Sequence, residues 1–145
     1  MSTSTNNSQI ISFPAGKTYS YIIHTEIHAH PVKKGFPPES PEFAVFRKKG
    51  GVMECLFRVL KTVDLNPERM KILSAPSGIK EEEEQRIRNY IAERNENFKF
   101  AWKEEYLYRF YILEKICDLN PPVIKSPNLQ SYYYCTADDL GVSLP

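Results

Sequence analysis

The stretch KTYSYIIHTEIHAH, residues 17–30, decides how the rest of the chain is arranged. Its side chains alternate. Tyr19, Tyr21, Ile23, Thr25, Ile27 and Ala29 fall on one parity; Ser20, Ile22, His24, Glu26, His28 and His30 fall on the other. A period of two is the pattern of an extended strand with one apolar side. The spacing predicts a single strand over 19–30, ended by Pro31, with its imidazoles on a polar face that meets water or a partner. All three histidines of the chain stand on that face.

Working outward, residues 1–16 are rich in Ser, Thr and Asn, show neither period, and read as a flexible leader. On the other side, PVKKGFPPESPE (31–42) is a proline-rich loop. Two β-rich runs then flank Gly50-Gly51, and adjacent glycines supply the positive φ angles of a tight hairpin turn. Met53, Cys55, Phe57 and Val59 share the side of the second run that should face the core.

PSGIKEEEEQRIRNYIAERNENF carries the main helix, over about residues 78–97. Ser77 can cap it. Glu81 to Glu84 fall where the helix dipole favours negative charge. Ile87, Tyr90, Ile91 and Phe98 form an apolar stripe at helical spacing. YLYRFYILEKI returns to strand with two mostly apolar faces, which predicts a central position. SYYYC is a short last strand, and TADDLG a one-turn helix with Thr136 as cap, Asp139 three residues on and Gly141 after its end. Asp64-Leu65-Asn66-Pro67 recurs as Asp118-Leu119-Asn120-Pro121, read as two strand exits with the same turn chemistry.

Strand, hairpin, helix, strand, strand predicts an α+β fold: a small, mostly antiparallel sheet, curled or closed into a barrel, carrying one main helix, in a single domain over 17–145. With 19 Lys and Arg against 18 Asp and Glu, the chain is not a generic nucleic-acid-coating protein, though a local basic patch remains open. No apolar run reaches the roughly 20 residues of a membrane-crossing helix. The N-terminus lacks a signal-peptide core, so an intracellular, cytoplasmic protein is expected. Three cysteines without a CxxC spacing read as reduced thiols.

Three sets of residues carry candidate chemistry. His28 and His30 are about 6.6 Å apart along one strand face, close enough to share a zinc or other divalent metal. Further ligands would have to come from Asp, Glu or Cys elsewhere, so no cofactor is the expectation. The same two histidines, with Glu26, are the candidates for proton transfer. Lys33-Lys34 and Arg47-Lys48-Lys49 are basic clusters in or beside loops, suited to phosphates. Aromatics crowd the C-terminal half. Trp102 and Tyr108, beside Arg109, can stack on a base. No P-loop, G-x-G-x-x-G, G-x-S-x-G or H-E-x-x-H is present.

EFAVFRKKGGVMECLFRV, the helix, YRFYILEKI and the tail YYYCTADDL together resemble the PUA-like superfamily, with its EVE and ASCH domains. The tail matches the EVE type Y-T-x-x-D/E-L from Tyr134 to Leu140, with Cys135 inserted. The resemblance implies a small barrel that binds nucleic acid, with a flipped or modified base in a pocket between barrel and helix. The histidine strand is not part of that pattern, and no base-contacting residue is carried over from it.

The expected function is therefore a nucleic-acid-binding module for RNA or DNA rather than an enzyme, working through basic loops and exposed aromatics. The alternatives are a small metal- or histidine-dependent nuclease or hydrolase using His28 and His30, and a viral or mobile-element accessory factor that binds a host protein.

Overall fold

The computed structural model describes residues 10–67, 78–97, 107–125, 129 and 131–145. The elements in chain order are β1 (Ile10–Pro14), α1 (Tyr19–Thr25), β2 (Ile27–Pro31), β3 (Phe43–Arg47), β4 (Val52–Leu65), α2 (Glu81–Asn97), β5 (Tyr108–Ile124), β6 (Tyr133–Cys135) and α3 (Ala137–Leu140). They build an α+β fold on one six-stranded sheet of order β2-β5-β4-β3-β1-β6. β1 and β3 run parallel; the other four pairings are antiparallel. No helix of the described residues is long and apolar enough to cross a membrane.

The expected strand over 19–30 is not formed as one element. Residues 19–25 are helical, and only 27–31 are extended. The switch occurs at Glu26, which adopts a left-handed conformation (φ 57°) while its N–H donates to the Ile22 carbonyl. That is a helix stop, here without the usual glycine. α1 buries Ile22 and Thr25, three residues apart, and packs on α2. Tertiary contact wins over the strand propensity of Tyr and Ile in so short a segment.

Part of the expected leader is also structured. Ile10–Pro14 is β1, an interior strand whose Ile10, Ile11 and Phe13 are buried between β3 and β6. Residues 1–9 of that leader lie outside the described residues.

The hairpin reading holds. Gly50 and Gly51 have φ of 85° and 79°, and Lys48 N–H donates to the Val52 carbonyl across the turn. The face expected in β4 does not run unbroken. Register shifts fall between Met53 and Cys55, between Leu56 and Phe57, and between Val59 and Lys61. Met53 and Leu56 therefore join one core, while Phe57 joins the other with Cys55 and Val59 against it. Such bulges bend a strand and increase its twist.

The two cores lie on opposite sides of β1 and β3. Ile10, Phe43 and Val45 meet Leu140 of α3 on one side; Ile11, Phe13, Ala44 and Phe46 lie on the other. The cap of α3 is as expected. Thr136 Oγ1 accepts from Asp139 N–H, Asp139 accepts from Thr136 N–H, and Gly141 closes the turn. In α2, Ile87, Tyr90 and Ile91 are buried as the stripe predicts, while Phe98 and the cap Ser77 lie outside the described residues. Of the four glutamates, Glu83 is buried and accepts from Lys61 Nζ at 2.8 Å. Burial works against its carboxylate, but Lys61 and the Lys80 N–H outweigh it and hold its carboxyl below the ordinary range. The second Asp-Leu-Asn-Pro run is no strand exit: residues 118–121 continue within β5.

β5 is central, between β2 and β4. The β2–β5 pair alternates cleanly. Ile27 with Ile112 and Ala29 with Phe110 form one face, and Phe110 meets the Tyr90 ring of α2 at 6.3 Å. His28 with Tyr111 form the other, and it meets β1 and β3: the His28 ring lies 4.5 Å from Phe13 and 4.9 Å from Phe46. The sheet has curled until its first strand touches its fifth. Among the described residues no β1–β2 pairing completes the ring, so the expected barrel is not closed.

Candidate functional site

The curled sheet leaves a cleft of about 950 Å³. It is lined by the end of β1 and the turn after it, by β2, by the loop at 33–36, by the hairpin turn, and by parts of α2, β5 and the segment before β6. Lys17, Lys33, Arg47, Lys48, Lys49 and Arg94 all line it, and among the described residues no Asp or Glu does. The chain as a whole is almost neutral, whereas this lining is locally positive. A concave surface of one sign focuses potential and attracts counter-charge.

The six cations are not equivalent. Lys17, Lys33 and Lys49 are exposed. Lys48 is partly engaged by Glu54 at 3.3 Å. Arg47 is 3 % exposed, and its donors point inward: Nη1 donates to the Ser12 carbonyl (3.0 Å) and Oγ (2.7 Å), and Nη2 to the carbonyls of Leu129 and Ser131. Its guanidinium lies 4.7 Å from the Tyr133 ring centroid. Arg47 therefore ties β1, β3 and the approach to β6 together, and lends the cleft charge rather than free donors.

Of the other basic and aromatic candidates, Lys34 is exposed but does not line the cleft. Arg109 is turned away as well: it grips Asp64 with Nε and Nη2 (2.8 and 3.1 Å) and donates to the Pro38 carbonyl. Tyr108 lines the cleft but is 1 % exposed, too buried for open stacking on a base. Trp102 lies outside the described residues. Phe36 and Tyr132, only partly buried, also line the cleft.

The polar face expected at 24–30 is divided. His24 is on α1, exposed, and bonded to Glu93 at 2.8 Å. Glu26 accepts from the Lys115 N–H and faces Arg86 at 3.5 Å, away from the cleft. His28 and His30 line the cleft, yet both are buried rather than turned to water. His30 Nδ1–H donates to the Pro31 carbonyl at 2.8 Å, which fixes the tautomer. Its Nε2 then accepts from the Tyr111 hydroxyl at 2.7 Å. Its ring stacks on Phe36 at 5.3 Å. Both nitrogens of His30 thus have protein partners, and it is not set to share a metal with His28. Among the described residues, no three His, Cys, Asp or Glu side chains gather as a metal site would need.

His28 differs. Both its nitrogens are buried and neither has a hydrogen-bond partner among the described residues. A polar group so placed costs about 1–3 kcal/mol. Burial pushes its imidazole well below the usual value, with His30 and Arg94 adding to the effect. Burial also lowers His30, opposed by its bond to Pro31. Burial raises Tyr111, which keeps its proton for His30.

These shifts have a consequence for stability. Both histidines titrate lower in the fold than the unfolded value of about 6.5, so below that pH the unfolded chain takes up protons that the fold refuses. Stability is fully present above about pH 6.5. It falls on acidification by up to about 1.4 kcal/mol per pH unit for each histidine, until the folded values are reached. Urea midpoints from pH 7.5 to 5.5 should drop accordingly; a flat profile would contradict the burial of the pair.

Sequence reasoning missed Lys17 and Arg94, which reach the cleft from a turn and from the last turn of α2, and Phe13, which faces His28 across it. Their only signals are single basic residues and a short apolar run. The chain matches no family model, no curated protein and no solved structure.

Proposed function

We propose that the chain binds nucleic acid in this cleft, with phosphates along Lys17, Lys33, Lys48 and Lys49 and a base against Phe36 and Tyr132. The observation that carries this reading is the lining itself: among the described residues, six cations and no carboxylate in a protein of net charge +1. Lysines on flexible stems suit a backbone that carries charge without sequence information, and aromatic faces suit unpaired bases. The cleft volume is at the upper end of the range that holds small ligands, about 300–1,000 Å³, so it takes a strand locally rather than a duplex groove. The PUA-like resemblance points to the same class of ligand.

The test is fluorescence anisotropy with a labelled single-stranded oligonucleotide. Four neutralised phosphates give a slope of log K against log salt of about −2.8, hence about 50-fold weaker binding at 200 mM than at 50 mM salt. Absence of binding at micromolar protein in the lower salt removes the reading.

A further inference from the structure

Phosphates on the lysine rim leave His28 unexplained. It stands on β2 within the cleft, 5 % exposed, with neither ring nitrogen partnered. Each element packed against it offers a neutral or positive group. β1 and β3 bring the Phe13 and Phe46 rings, at 4.5 and 4.9 Å. β5 brings Tyr111, whose hydroxyl is committed to His30. Its own strand brings His30, with ring centroids 6.0 Å apart, and α2 brings the charge of Arg94. Among the described residues, no carboxylate lines the cleft to act as counter-ion.

We propose that the cleft contains an anion subsite at His28, where an oxygen of one phosphodiester of the bound strand accepts a hydrogen bond from this imidazole, and that His28 takes up a proton as the phosphodiester enters. A neutral imidazole offers one N–H and one bare acceptor nitrogen, whereas a phosphodiester's anionic oxygens only accept. Entry of the anion therefore favours the form with two N–H groups. Without the anion that form would be a buried cation beside Arg94, which burial and repulsion disfavour. The anion supplies the missing counter-charge and raises the proton affinity of His28. By linkage, binding tightens as pH falls.

This inference rests on the reading that the cleft binds nucleic acid, and the experiment separates the two. Isothermal titration calorimetry with a ten-residue oligouridylate, whose phosphodiesters and bases do not titrate between pH 6 and pH 8, is run in buffers of different ionisation enthalpy. We expect uptake of up to about one proton per site, averaging about half a proton between pH 6 and pH 8, and hence affinity about tenfold higher at pH 6 than at pH 8. In His28→Gln the proton uptake should vanish while weaker, pH-independent binding remains. In His24→Gln, off the cleft, it should persist. Salt-dependent binding with no proton uptake, or uptake that survives in His28→Gln, overturns the inference and leaves the reading standing. No binding at either pH overturns both. Should His28→Gln fail to fold, the His28 proton resonance in the unaltered protein decides: its titration must move to higher pH when oligouridylate is added, and an unmoved titration overturns the inference.

Discussion

Arg47→Met is expected to lower the free energy of unfolding by about 3–5 kcal/mol. The guanidinium is buried and serves four oxygens: the Ser12 carbonyl and hydroxyl and the carbonyls of Leu129 and Ser131. Methionine fills much of the same volume but donates nothing. Each buried oxygen left without its donor costs about 1–3 kcal/mol, reduced where water can enter. No carboxylate forms a salt bridge with Arg47 among the described residues, so the change strands no opposite charge, and the loss comes from the orphaned oxygens. Arg47→Lys should recover less than half, because an ammonium cannot reach two separated groups of acceptors as a planar fork does. Urea unfolding measures both. A loss below about 1 kcal/mol in Arg47→Met would mean that this arginine is a surface contact rather than a strut.

The double substitution Lys33→Glu with Lys49→Glu should weaken oligonucleotide binding by about 30- to 100-fold at low salt and leave folding intact. Both lysines are exposed, on two separate loops that border the cleft. Removing two phosphate contacts reduces the magnitude of the salt slope by about 1.4, and two new carboxylates add repulsion to the loss. Lys34→Glu is the control. It adds the same negative charge one residue along the chain, but outside the cleft lining, and should change affinity by no more than about threefold. Equal losses for Lys33→Glu and Lys34→Glu would show that net charge, not the cleft, governs binding.

What could be read in the sequence was local. The Gly50-Gly51 turn and the cap formed by Thr136, Asp139 and Gly141 depend on residues within a few positions of each other, and both are present as expected. The stripe of α2 repeats long enough to be unambiguous. β1 was missed because its signal is five residues beside a polar run, and its parallel partner β3 lies 33 positions further on with no turn to announce it. α1 was missed because seven residues fit a period of two and a period of 3.6 almost equally well. Its end, at a left-handed Glu26, has no glycine to mark it. The inward turn of His28 depends on how far the sheet curls. That curl accompanies three register shifts in β4, and nothing near His28 encodes them. The basic lining is assembled from four separate stretches of chain, at Lys17, Lys33, 47–49 and Arg94. Only two of them, at Lys33 and at 47–49, stood out as clusters.

Amide chemical-shift mapping decides whether the ligand sits in this cleft. When the oligouridylate is added to isotope-labelled protein, the account predicts that shifts concentrate at residues 16–18, 28–36, 47–51 and 131–132, with the β4–β5 ribbon beyond Met53 unmoved. Shifts centred on that ribbon, or on the surface where His24 of α1 meets Glu93 of α2, would argue for a site elsewhere.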